Sequence, residues 1–157
     1  MVSIMNRDSF PQKVWTSFPD KNLNFQPQKV LIVEDDPFSN HLFRKILNEH
    51  YSNIQLIPCS SYSEAQAAYN THGAFDLIIL DIFLDEDGTG VDFYKKILGG
   101  HMRLNQKNTV IMTSALEISD YRKFFPNDMI PPPYLKKPFS AETCIDLVEI
   151  FTGGDLK

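Results

Sequence analysis

The run Phe75-Asp76-Leu77-Ile78-Ile79-Leu80-Asp81 sits near the middle of the chain, too apolar for a surface strand and stopped at both ends by acids. Continuous apolar runs of this length mark strands buried on both faces, as in a parallel sheet covered by helices. Similar runs recur at regular spacing. Lys29-Val30-Leu31-Ile32-Val33 breaks into Glu34-Asp35-Asp36, and Ile54-Gln55-Leu56-Ile57 follows as a second strand. Thr109-Val110-Ile111-Met112-Thr113 makes a fourth and Tyr134-Leu135-Lys136 a short fifth. The Pro131-Pro132-Pro133 approach suits an edge position, where missing amide donors cost nothing.

Helical patterns fill the gaps. Residues 38–50 place Leu42, Phe43, Ile46 and Leu47 on one face. Ser61 and Glu64 have capping-box spacing for a helix through Tyr69 that stops by Gly73. A third helix is expected from Val91 to Leu98, closed by Gly99-Gly100, and a short fourth from Leu116 to Phe125, ended by Pro126. Ser140 caps a last helix reaching about Phe151. Five strands alternating with five helices predict an α/β fold with helices on both sheet faces. Ligands of such sheets bind beyond the carboxyl ends of the strands.

Composition narrows the partners. The chain has 157 residues, 20 acids and 15 bases, giving a net charge of -5. Nucleic-acid binders usually carry a basic patch, and adjacent lysines here occur only at Lys95-Lys96 and Lys136-Lys137, so no nucleic acid is expected. No apolar run approaches a membrane span and residues 1–28 lack a signal-peptide core, which predicts a soluble, cytoplasmic protein. Cys59 and Cys144 are too far apart in sequence to suggest a metal motif, and half-buried free thiols are expected. Residues 1–28 form an extension to the domain at 29–157, with three prolines and the aromatics Phe10, Trp15, Phe18 and Phe25. It either lies loosely on its own domain or docks a partner through Trp15 and Phe18.

The strand ends carry the chemistry. The first supplies Glu34-Asp35-Asp36, the third Asp81 with Asp85, Glu86 and Asp87 beyond, the fourth Ser114 and the fifth Lys137-Pro138. Carboxylates gathered so closely repel unless a cation sits among them, and hard oxygen ligands without His or Cys favour Mg²⁺. Each residue alone has an ordinary reading as a solvated acid, a helix cap or a surface lysine. Together they suit phosphoryl transfer to Asp81, with Lys137 and the Ser114 hydroxyl holding oxygens not bound to metal.

The segments VLIVEDDPFSN at 30–40, FDLIILDIFL at 75–84, TVIMTSA at 109–115 and YLKKPF at 134–139 resemble, in order and spacing, the receiver domain of two-component response regulators. The resemblance covers roughly residues 29–152 and implies a doubly wound, flavodoxin-like (βα)5 fold with strand order 2-1-3-4-5. By position it implies that Glu34 and Asp35 hold Mg²⁺, that Asp81 accepts the phosphoryl group, and that the backbone carbonyl of Phe83 adds a metal ligand. Ser114 matches the switch hydroxyl, Tyr134 the aromatic that follows it, and Lys137 the lysine of the site, often before a cis proline. The implied partners are a sensor histidine kinase or histidine phosphotransfer protein and a downstream target, with room for a homodimer. Such a domain is not a turnover enzyme.

Asp85 stands where the family often has proline, and the acidic 85–87 loop is one residue longer than usual. Phe83 and Leu116, two residues beyond Asp81 and Ser114, are both apolar, from which slow self-dephosphorylation is expected. Only twenty residues follow Lys137, so no attached output domain is expected. Other chemistries fit less well. A flavin site wants a Ser/Thr/Gly-rich loop after the first strand, and no glycine precedes Gly73. A haloacid-dehalogenase-type phosphatase wants a second Asp where Phe83 stands. An EF-hand register puts Phe83 in the first ligand position and Tyr94 in place of the closing glutamate. The remaining rival is a receiver-like interaction module that works without phosphorylation, and the complete acceptor set argues against it.

Overall fold

The computed structural model describes residues 27–84, 88–99 and 109–152. Five strands alternate with five helices: β1 (Lys29–Val33), α1 (Pro37–His50), β2 (Gln55–Cys59), α2 (Tyr62–His72), β3 (Leu77–Asp81), α3 (Gly90–Leu98), β4 (Thr109–Ser114), α4 (Ile118–Arg122), β5 (Tyr134–Lys136) and α5 (Ala141–Thr152). All strand pairs are parallel and the order is β2-β1-β3-β4-β5. The fold is the doubly wound α/β sheet the sequence pattern predicts. Residues 30–33 of β1 and 77–80 of β3 are at most 1% exposed, as central strands covered on both faces must be.

Helices α1 and α5 meet on one side of the sheet, where Phe43 stacks on Phe139 at 4.8 Å. On the other side α2 and α3 meet through the Tyr62, Tyr69 and Phe93 rings, and Phe125 beyond α4 packs on Tyr94 of α3. No helix among the described residues is long and apolar enough to cross a membrane.

Helix starts follow local capping chemistry. Asp36 accepts from the Ser39 amide at 2.9 Å ahead of Pro37, and Ser140 accepts from the Thr143 amide at 3.1 Å. At α2 the expected box is only half formed. Ser61 Oγ accepts from the Glu64 amide, but the Glu64 carboxylate reaches past it to the Ser60 amide at 2.7 Å. The reciprocal box occurs instead at α3, between Thr89 and Asp92.

Several boundaries shift for physical reasons. β2 runs on through Pro58, which an edge strand tolerates because β1 lies on one side only. α4 is five residues rather than ten, and a series of tight turns carries the chain on to Phe125. Leu42 is only partly buried on α1, where Asn40 takes the inner position. Both cysteines are fully buried rather than half-buried, which pushes the Cys59 thiol up to about 11 and Cys144 up to about 12. The readings placed on residues 1–26, on the acidic side chains at 85–87 and on Gly100 lie outside the described residues.

Candidate phosphoryl-acceptor site

Sheet register sets the site. Val33 pairs with Leu80, so the residue after β1, Glu34, falls level with Asp81, and Asp81 pairs with Thr113. Ser114 pairs with Lys136, and the Lys137 amide donates to the Ser114 carbonyl at 2.8 Å. The Lys137-Pro138 peptide bond is cis. The site thus opens where strand order reverses, between β1 and β3, the usual ligand crevice of such sheets.

Carboxylate oxygens of Glu34, Asp35 and Asp81 lie within 4.8 Å of one another. Lys137 Nζ bridges two of these residues, donating to Glu34 Oε2 at 2.5 Å and to Asp81 Oδ2 at 3.2 Å. Glu34 is fully buried and its Oε1 accepts from the Asp36 amide at 3.1 Å. Burial, and then its contact with Asp81, push the Glu34 carboxyl up to about 7 despite the lysine. Burial opposes the charge on Lys137, but hydrogen bonding to Glu34 and the two negative charges outweigh it, so the ammonium titrates above its ordinary value. The donor set is all hard oxygen, so Glu34, Asp35 and Asp81 fit a Mg²⁺ ion.

Asp81 is 5% exposed, and its Oδ1 accepts from the Phe83 amide at 3.3 Å. The Phe83 side chain turns outward, half exposed, and meets Phe124 edge-on with centroids 6.1 Å apart. At the neighbouring strand end the hydroxyls of Ser114 and Tyr134 are 2.6 Å apart, and Tyr134 also donates toward the carbonyls of Ser114 and Leu116. Ser114 Oγ accepts from the Leu116 amide at 3.2 Å, whereas Glu117 is the N-cap of α4. Ser114 is therefore not that helix's cap.

The structure brings Glu34, Asp35, Asp81 and Lys137 into one cluster and pairs Ser114 with Tyr134 beside it. Three supporting residues were not anticipated. Asn40 donates from Nδ2 to the carbonyls of Glu34 and Cys59, fastening the first acidic loop. A polar residue at i−3 from Phe43 on an apolar face was the signal for it. Gly90 lies so close that a Cβ would sit 2.0 Å from the Asp81 carbonyl oxygen. Tyr121, fully buried, stacks on Tyr134 and left no local signal in the sequence.

A family model for the response regulator receiver domain matches residues 30–149. The chain belongs to that family, the receivers of two-component signalling. Among solved structures it is similar to a Francisella response regulator receiver domain, at 24% identity and TM-score 0.63 over 81% of this chain and 97% of that one. It is similar also to a CheY-like receiver from Methylobacillus flagellatus, at 21% identity and TM-score 0.60, covering 79% and 100%. The chemotaxis protein CheY4 of Vibrio cholerae matches at 20% identity and TM-score 0.65, covering 80% and 99%. No curated protein matches the chain by sequence.

Proposed function

We propose that this receiver accepts a phosphoryl group on Asp81 from a histidine kinase or histidine phosphotransfer protein, and that the change is read by a target protein. An Asp81 carboxylate oxygen forms the new bond to phosphorus while the bond from phosphorus to the donor's nitrogen breaks. The donor imidazole leaves with that electron pair and takes up a proton. Glu34, Asp35, Asp81 and the Phe83 backbone carbonyl would hold Mg²⁺, which supplies charge neutralisation for the phosphoryl oxygens when bound. Lys137, already bonded to Asp81, moves onto a phosphoryl oxygen, and Ser114 donates to another.

The observation that carries this reading is the Lys137 bridge. One ammonium contacts both the acceptor and a fully buried glutamate at the point where three carboxylates converge within 4.8 Å. The Ser114–Tyr134 contact then offers a route outward, because a hydroxyl drawn to a phosphoryl oxygen leaves the Tyr134 phenol. The surface that responds is formed by α4, β5 and α5.

Intact mass after incubation with acetyl phosphate and Mg²⁺ tests the proposal. One phosphoryl adduct is expected, lost with EDTA and absent in Asp81→Asn. A chain that stays unmodified at long incubation would favour a module that binds partners without phosphorylation.

A further inference from the structure

Asn40 is buried with Phe43 and Leu47 on the inner face of α1, where it is 7% exposed. Its Nδ2 donates to the Glu34 carbonyl at 3.1 Å and to the Cys59 carbonyl at 3.3 Å. Its Oδ1 is buried with no partner among the described residues. An unpaired buried acceptor costs stability, and an apolar side chain of similar size would avoid that cost. What the asparagine adds is the donor on the acidic loop.

The bonds around it close on one residue. The Glu34 amide donates to the same Cys59 carbonyl at 3.0 Å, and the Asn40 amide donates to the Asp36 carbonyl at 2.9 Å. Asn40 therefore grips the carbonyls of Glu34 and Asp36, and Asp35 is the residue between them. The bond to Asp36 is an ordinary first-turn bond that any residue but proline would make at this position. The bond to Glu34 needs a side-chain donor. Cys59 pairs with Val33 in the sheet, so the far end of the clamp rests on a strand and not on another loop. Asp35 is half-buried, and its carboxylate converges with those of Glu34 and Asp81 within 4.8 Å.

Resting on the acceptor reading and its metal site, we infer that Asn40 is a positioning residue for the divalent cation: through the Glu34 carbonyl it holds the peptide group that leads into Asp35, and so aims the Asp35 carboxylate. Mg²⁺ demands near-ideal octahedral geometry, so a ligand on a loosened loop loses affinity instead of adapting. Removing an outer group that orients a metal ligand typically weakens binding by about 10–100-fold. Replacing Asn40 deletes no ligand, so the site still fills at higher Mg²⁺ and transfer then proceeds at its ordinary rate.

The test uses the full chain with Mg²⁺ alone as ligand. Urea midpoints of wild type and Asn40→Leu, both first freed of metal, are recorded over a rising Mg²⁺ series. The concentration at which the midpoint begins to climb reports the dissociation constant. That concentration is expected to rise about tenfold in Asn40→Leu. Initial rates of adduct formation from acetyl phosphate should show half-saturating Mg²⁺ raised by the same factor, with the rate at saturating Mg²⁺ near wild type. A purely structural asparagine would instead lower the urea midpoint at every Mg²⁺ concentration and leave the onset in place. Asn40→Ser, whose hydroxyl ends one bond short of the Nδ2 position, carries the same expectation should the leucine variant fold poorly. An unshifted onset in these variants overturns the inference while leaving the metal site and the acceptor intact. A wild-type chain that Mg²⁺ does not stabilise, or that takes up no phosphoryl group, overturns the reading on which the inference rests.

Discussion

The rings of Tyr121 and Tyr134 lie parallel, 11° apart in plane and 4.2 Å between centroids, so the helix α4 and the strand β5 share one buried aromatic stack. Tyr134 cannot leave its place against Ser114 without Tyr121 yielding or sliding. Tyr121 is tied in turn to the triproline segment through the Pro132 carbonyl. Tyr121→Phe keeps the stack but leaves that carbonyl without its donor, at a cost of about 1–2 kcal/mol. Tyr121→Ala also opens a cavity and should cost about 3–5 kcal/mol. Urea denaturation of both variants checks this, and a Tyr121→Phe value within a few tenths of wild type would mean that the hydroxyl adds nothing.

Gly90 couples the first turn of α3 to the acceptor strand. Alanine is the better helix former by about 1 kcal/mol, so propensity alone predicts that Gly90→Ala stabilises. Space decides otherwise, because the new methyl would meet Asp81 backbone atoms at 2.0 and 2.9 Å, and backbone at a sheet centre cannot swing aside. We expect Gly90→Ala to lose roughly 2–3 kcal/mol net and to lower phosphoryl uptake by displacing Asp81. A variant of unchanged stability would show that the helix shifts more freely than its 2.8 Å bond from the Gly90 amide to the Ile82 carbonyl suggests.

The strands were readable in the sequence because burial on both faces makes a parallel strand continuous and apolar, and its end abrupt. β1, β3 and β5 stop where acids or lysines begin, and parallel topology alone puts those ends on one side. That is why Glu34, Asp81 and Lys137 could be placed together before any coordinates. What could not be read was long-range packing. Phe124 on Phe83 and Tyr121 on Tyr134 each join segments whose separation in sequence carries no periodic signal. The Ser60 bond to Glu64 was missed for a local reason, since a glutamate can reach the amide before the cap as easily as the cap itself.

Ser114 separates function from stability. Its replacement by Ala removes the 2.6 Å contact with the Tyr134 hydroxyl and the 3.2 Å bond from the Leu116 amide, but leaves that hydroxyl two backbone carbonyl acceptors, at 114 and Leu116. The stability cost should stay near 1 kcal/mol. Phosphoryl uptake loses a donor to the transferring group, and we expect its initial rate with acetyl phosphate to fall by about tenfold or more. Uptake at the wild-type rate would remove Ser114 from the transfer step.

Glu34 gives the metal-free protein a pH dependence of definite sign. Its carboxyl titrates near 7 when folded, against an ordinary value of 4.5, so the folded chain holds this proton more tightly than the unfolded one. Stability from this group is therefore complete below about pH 4.5 and is lost as pH rises through 7. At 1.36 kcal/mol per pH unit the loss is about 3 kcal/mol. Glu34→Gln carries no such proton. With EDTA present, urea denaturation should find the variant more stable than wild type at pH 8 and the gap much reduced at pH 5. Adding Mg²⁺ at pH 8 should reverse the order, because the ion favours the charged carboxylate that glutamine cannot supply. Parallel stability profiles for the two proteins across pH 5–8 would show that Lys137 already meets the charge of Glu34 in full.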